Sequence, residues 1–218
     1  MKIISISVFF VCFLLLFIFL PSLSYAVLWD FNNKAQEADW SVITGACEID
    51  KDNAFKLNEP AAEALAIVGD SNWTDYTISC KARLTQPGGF NNIAIAFRAS
   101  DDGVSEYMLM FEGGRQQAEW WKKIAGTYTE VKKDPLEIDI KGWFDIKVVV
   151  KGKTFEGYYN DKFVSSIEDS DLKIGKVGVR IYGCTSQIDD FDVNGPGIPA
   201  TSVESFGKLA AKWGKIKN

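Results

Sequence analysis

Hydrophobic and polar residues alternate over residues 142–164, GWFDIKVVVKGKTFEGYYNDKFV. The apolar positions of the first strand of this segment are Phe144, Ile146, Val148 and Val150. A period of two places such a set on one face of a β-strand. The pairs Lys151-Gly152 and Asn160-Asp161 supply the turns between strands. The segment is therefore predicted to be an antiparallel meander whose apolar face packs against another layer.

The same period recurs along most of the chain, with turn residues between short segments. Strands are predicted at 27–31, 40–43, 46–49, 54–57, 64–68, 75–84, 92–99, 106–112, 117–124, 127–131, through the meander, and at 176–182 and 187–193. No helical periodicity interrupts them. One apolar face per strand is what sheet-on-sheet packing requires. Residues 27–195 are therefore predicted to form an all-β, two-sheet antiparallel jelly-roll sandwich.

The two ends of the chain follow other patterns. After Lys2 an apolar run extends over residues 8–20, followed by Pro21 and a small-residue site that ends at Ala26. This layout predicts a signal peptide over residues 1–26 and a secreted, periplasmic or extracellular protein. The alternative is an uncleaved membrane anchor. With cleavage, no membrane association is expected.

Residues 196–218 are predicted to be a linker and an amphipathic C-terminal helix. Apolar residues recur there at helical spacing, at Val203, Phe206, Leu209, Trp213 and Ile216. Such a helix either lies on the domain or docks a protein partner, and the sequence leaves both open.

Composition removes several classes of function. The 218 residues include no histidine, which excludes His-dependent triads and His-ligated zinc. The net charge of −5, with both signs mixed along the chain, argues against a nucleic-acid surface. Beyond the leader, Cys47, Cys80 and Cys184 allow one disulfide and one leftover thiol, and the pairing stays open.

Several motifs together resemble a known family. They are Trp73-x-Asp75-Tyr76, Ala96-Phe97-Arg98, Trp143-x-x-Ile146-Lys147-Val148, Tyr159-Asn160-Asp161, and Gly175-x-Val177-Gly178-Val179 leading to Ile188-Asp189-Asp190-Phe191-Asp192-Val193. In this order they resemble the concanavalin A-like lectin/glucanase jelly roll. The nearest branch is the secreted 3-keto-disaccharide hydrolase domain, with laminin G-like modules as relatives. The resemblance implies two bent sheets, the concave one facing a carbohydrate.

Alternation supplies candidate residues for a groove on that face. They are Arg98, Met110, Glu112, Trp120, Arg180 and Tyr182. Aromatic rings stack on sugars while charged groups bind their hydroxyls. The alternative is that Arg98 and Glu112 form an ion pair on a solvated face. Trp120 and Trp121 point to opposite faces, so only one of them can line the groove.

The acids allow two further predictions. The Glu-x-Asp-x-x-Glu motif of laminarinase-like relatives is absent. Glu112 is the candidate catalytic base for a keto-sugar, helped by Arg98 or Tyr107. Asp30 and Asp190 are candidate ligands of a structural calcium ion, or else ordinary surface aspartates.

We therefore predict a secreted, lectin-like module that recognises a glycan. The alternatives are a 3-keto-disaccharide hydrolase on the same fold and a laminin G-like adhesion module.

Overall fold

The computed structural model describes residues 26–86 and 91–199, which form thirteen antiparallel strands and a short 3₁₀ helix (Lys34–Asp39). The strands are β1 (Ala26–Trp29), β2 (Ser41–Thr44), β3 (Ala46–Ile49), β4 (Phe55–Val68), β5 (Tyr76–Gln86), β6 (Asn92–Ala99), β7 (Glu106–Glu112), β8 (Gln117–Ile124), β9 (Thr127–Pro135), β10 (Phe144–Lys151), β11 (Thr154–Tyr159), β12 (Lys162–Glu168) and β13 (Lys176–Asn194). The predicted all-β jelly roll is confirmed.

Two layers share the long strand β13. Its first half lies between β6 and β4, and its second half lies between β5 on one side and β4 and β1 on the other. The first layer therefore runs β9-β8-β7-β6-β13-β4-β2, and the second runs β12-β11-β10-β5-β13. Both layers are extensions of one hydrogen-bonded sheet that folds over on itself.

Strands β4 and β13 each join two segments that were predicted to be separate strands. The register between them shifts at Tyr182 and Cys184, where Gly183 has a φ of +65°. A glycine in this conformation lets a strand bend without ending. The turn residues that suggested a break therefore mark the bend at which the chain passes from one layer to the other.

The apolar faces of the two layers meet in an aromatic core. Phe97 of β6 contacts Phe155 of β11 with ring centroids 5.0 Å apart. The indole nitrogen of Trp120 donates to the hydroxyl of Ser165 on β12 at 2.8 Å. Gly157 of β11 makes room between the layers, because a Cβ there would lie 2.4 Å from a Leu109 methyl. The meander thus packs as its alternation predicted.

Several predictions for the ends of the chain lie outside the described residues, among them the leader up to residue 25 and the C-terminal helix over residues 200–218. No helix in the described part is long and apolar enough to cross a membrane. Within the same part, Cys47, Cys80 and Cys184 are all free thiols, so none of them forms the disulfide that export made plausible.

Candidate functional site

The outer face of the first layer is strongly concave. The hydroxyl of Tyr128 on β9 donates to the carboxylate of Glu63 on β4 at 2.8 Å, although four strands lie between β9 and β4 in this layer. Neighbouring strands are ~4.8 Å apart, so only a sheet that curls inward can bring these two side chains into contact. The curl encloses a cleft of ≈ 360 Å³.

Three cross-strand rows run across the floor of this cleft on β6, β7 and β8. The polar row is Asn92–Glu112–Gln117, the middle row is Ala94–Met110–Glu119, and the apolar row is Ala96–Met108–Trp121. Ala94 and Ala96 are fully buried and small, whereas the residues opposite them on β7 and β8 are large. The difference in side-chain size along the middle and apolar rows adds to the hollow.

Glu112 occupies one end of the cleft and is 2% exposed. Its carboxylate accepts from the backbone nitrogen of Gly114 at 3.1 Å and from the amide of Asn92 at 3.4 Å. Asn92 also bonds the backbone of Tyr182, donating at 3.0 Å and accepting at 2.9 Å. Burial raises the pKa of Glu112, and the negative charge of Glu119 adds to the rise. A carboxyl group with a raised pKa binds its proton more tightly than a free glutamate, which is a property of carboxyl groups that act as bases in catalysis.

Glu119 is a second buried carboxylate at the same end, also 2% exposed. Its acceptors are filled by the indole nitrogen of Trp121 at 2.6 Å, by the amide of Gln117, and by the guanidinium of Arg115 at 3.4 Å. The three donors hold the carboxylate and the indole ring in one arrangement. The ring therefore stands as a fixed wall of the cleft.

A buried charge cluster occupies the opposite end. The guanidinium of Arg180 donates to Glu106 at 2.5 Å, to Glu63, and to the hydroxyl of Tyr128. Lys123 lies 3.9 Å from Glu63, with its ammonium 5.1 Å from the centre of the Tyr128 ring. Glu106 is fully buried, and burial raises its pKa to about 7 although Arg180 opposes the shift. One of its oxygens has no hydrogen-bond partner in the described residues.

Four of the predicted binding residues line the cleft. They are Met110, Glu112, Arg180 and Tyr182. The other lining residues are Glu63, Asn92, Met108, Arg115, Glu119, Trp121 and Tyr128. That these residues bind a ligand stays a prediction.

Arg98 does not line the cleft, so the expectation that alternation places its side chain in the groove is wrong. Its guanidinium is 3% exposed and donates to the backbone carbonyls of Leu172, Thr74 and Gly152 at 2.7–3.2 Å. It lies over the Phe155 ring at 5.0 Å. The Arg98 side chain therefore ties loops to the end of the core.

The backbone explains why the alternation fails at Arg98. Its φ is +49°, and the register between β6 and β13 shifts at this point. An irregularity of this kind redirects the side chain and ends the period of two. The alternative of an ion pair with Glu112 is also wrong, because Glu112 lies opposite Asn92 at the far end of β6.

Two aromatic candidates belong to the core. Trp120 is fully buried, and Trp121 is the tryptophan of the pair that faces the cleft. Tyr107 is buried as well, and its hydroxyl donates to Asp169 at 2.5 Å, so it does not assist Glu112. Glu119 and Trp121 could have been identified from the sequence, because alternation in QAEWWKKI places these two residues on the same face.

That Asp30 and Asp190 bind a calcium ion stays a prediction. Asp190 accepts from Lys81 at 2.8 Å, and Asp30 accepts from the amide of Asn32 at 2.9 Å. Within residues 26–86 and 91–199, no group of three or more His, Cys, Asp or Glu residues is placed to hold a metal ion.

The family of the chain follows from its match to a family model. Residues 27–191 match the 3-keto-alpha-glucoside-1,2-lyase-like domain. The chain belongs to this family. The match covers β1 to nearly the end of β13, so it includes the whole cleft. It agrees with the resemblance that the motifs of the sequence indicated.

Similar proteins extend the comparison. Galactocerebrosidase of Macaca mulatta is 28% identical over 145 residues, which is 61% of this chain and 20% of that protein. The carbohydrate-binding module CBM66 of Bacillus subtilis superposes with a TM-score of 0.66 at 17% identity, covering 71% of this chain and 94% of that one. A β-glucanase of Bacillus licheniformis gives 0.58 at 11% identity, covering 78% and 97%. At these identities the two structures show a shared fold.

Proposed function

We propose that the concave cleft binds a saccharide. The observation that carries this proposal is the combination of hydrogen-bonding groups with an aromatic ring at one end of the cleft. Glu112, Asn92 and Arg115 offer acceptors and donors for hydroxyl groups, and Tyr182 stands beside them with 43% of its surface exposed. Sugars present apolar ring faces and polar edges, and this combination suits both.

A glycan array followed by calorimetric titration of the bound glycan tests this proposal. Tyr182→Ala is expected to weaken binding about tenfold, since the ring would lose its contact with the sugar. Phe163→Ala is the matched control, because Phe163 is an exposed aromatic residue on β12 of the other layer. Absence of any bound glycan would refute the proposal. Unchanged affinity in Tyr182→Ala would place the binding on another surface.

Cleavage of a 3-keto-glycoside is the second candidate, and the burial of Glu112 favours it. A ketone at C3 makes the proton at C2 acidic. Glu112 would remove that proton, the C1–oxygen bond would break, a C1–C2 double bond would form, and the departing oxygen would take up a proton. A carboxylate with a raised pKa in a buried cleft suits such a base. Family membership supports this chemistry.

Incubation with 3-keto-glucosides and mass spectrometry of the products tests the second candidate. We expect the unsaturated keto-sugar from the wild type and a loss of at least about a hundredfold in rate for Glu112→Gln. The variant should still bind the intact glycoside. Turnover that is unaffected by the substitution would exclude Glu112 as the base.

We also propose that the protein is exported. We expect residues 1–26 to be removed as a signal peptide, which N-terminal sequencing of the protein recovered from its native host would show as a chain beginning at Val27. A laminin G-like adhesion module, the other alternative, would be expected to present a flat polar face without a pocket, and the cleft argues against it.

A further inference from the structure

The floor of the cleft changes from polar to apolar along the strands. The polar row contains Glu112 and Asn92, and the middle row contains Met110 and Glu119. The apolar row carries the thioether of Met108, followed on β8 by the indole ring of Trp121. Met108 and Trp121 of the apolar row both line the cleft.

The distance between the polar and apolar rows matches the length of a ligand with two rings. Rows on one face of a strand are two residues apart, so the polar and apolar rows are separated by about 13 Å along the strands. That distance spans a sugar ring followed by a second ring of similar size. A ligand that fills the cleft therefore meets hydrogen-bonding groups with its first ring and a thioether and an indole with its second.

Charged groups also line this part of the cleft, but they are bonded to one another. Arg180 pairs with Ala94 of the middle row, and its side chain reaches Glu106 on β7. The guanidinium of Arg180 is held by the two carboxylates of Glu106 and Glu63 and by the phenol of Tyr128. Glu119 is likewise turned into a network with Trp121 and Arg115. Methionine side chains adapt to irregular apolar groups and make favourable contacts with aromatic rings.

We propose, on the premise that the cleft binds a saccharide, that its ligands are glycosides with an apolar aglycone. The sugar lies over the polar row of Glu112, and the aglycone lies between Met108 and Trp121. A second sugar in the aglycone position would place most of its hydroxyl groups against a thioether, an indole ring and polar groups that are already bonded to one another, which is unfavourable.

Calorimetric titration with matched glycosides tests the proposal. Methyl and phenyl glycosides of glucose, galactose, mannose, xylose and 3-keto-glucose are compared, with free phenol as the third ligand. For the sugar that binds, the phenyl glycoside is expected to bind at least about tenfold more tightly than the methyl glycoside, because it buries the phenyl ring. Equal affinities would overturn this inference and leave saccharide binding intact.

Other outcomes separate the two proposals. Phenol binding as tightly as the phenyl glycoside, or no binding by any ligand, would refute saccharide binding and the aglycone assignment together. Trp121→Ala and Met108→Gln should each bring the phenyl-to-methyl ratio close to one. Trp143→Ala, which removes an exposed tryptophan outside the cleft, should keep the ratio. A ratio that survives both cleft substitutions would contradict the proposal.

Discussion

Replacing Glu106 with glutamine tests the buried charge cluster around Arg180. Glutamine keeps the shape of the side chain and can still accept a hydrogen bond, but it cannot ionise. Burial raises the pKa of Glu106 from the usual 4.5 to about 7. The charged groups that face it are Arg180 and Lys123, which oppose the rise, and Glu63, which adds to it.

The direction of the pH effect follows from proton binding. Below about pH 4.5 the folded and unfolded states both hold the Glu106 proton, and its contribution to stability is fully present. Between 4.5 and about 7 the unfolded chain releases this proton while the folded protein retains it, so stability falls as the pH rises. At roughly 1.4 kcal/mol per pKa unit, the total loss is about 3 kcal/mol. Glu106→Gln removes this term.

Urea denaturation of both proteins at intervals between pH 4 and 8 measures the effect. The difference in free energy of unfolding between wild type and variant cancels the other titrating carboxyl groups. It should fall by about 3 kcal/mol across the window and level off above pH 7. A difference that stays constant from pH 4 to 8 would show that Glu106 titrates alike in both states, and the reasoning would be refuted.

Three further tests probe the core by urea denaturation, two of them by comparison with a variant outside it. Arg98→Met should lower the free energy of unfolding by at least about 3 kcal/mol, because three backbone carbonyls lose a charged donor. The same variant should leave saccharide affinity unchanged. A loss of affinity would show that Arg98 belongs to the binding site. Trp120→Ala should cost about 3–5 kcal/mol and Trp121→Ala markedly less, an order that reverses if the two faces are misassigned. Gly157→Ala should lower the free energy of unfolding by about 1–3 kcal/mol, because the new Cβ would overlap a leucine of β7. Gly142→Ala, whose Cβ has room, should lower it by at most about 0.5 kcal/mol. Equal losses in the two variants would exclude the overlap.

Alternation predicted much of the fold and part of the cleft. In EYMLMFE it separated Met110 and Glu112 from the core residues Leu109 and Phe111, because β7 is regular from end to end. The same rule failed at Arg98, where a local change in backbone angle is not encoded in the period of two. It could not choose between Trp120 and Trp121, because alternation says only that they face opposite ways.

Contacts across the cleft could not be predicted from the sequence, for a different reason. Tyr128 and Glu63 lie on distant strands, and their hydrogen bond depends on how far the layer curls. Curvature arises from the twist and bulges of many strands together. Arg180 was a candidate on its own, but the carboxylates that hold it could be identified only from the folded chain.

The position of β13 at the end of the domain has a consequence for biosynthesis. This strand pairs Val177 with Val68 and Ile188 with Phe55, and it joins both layers. Pairings between residues this far apart in sequence are slow to form, and neither layer can close before the strand has left the ribosome. Until then, the edges of β4, β5 and β6 that β13 covers in the folded domain have no strand beside them, and such unpaired edges are where a partly synthesised chain is most prone to aggregate.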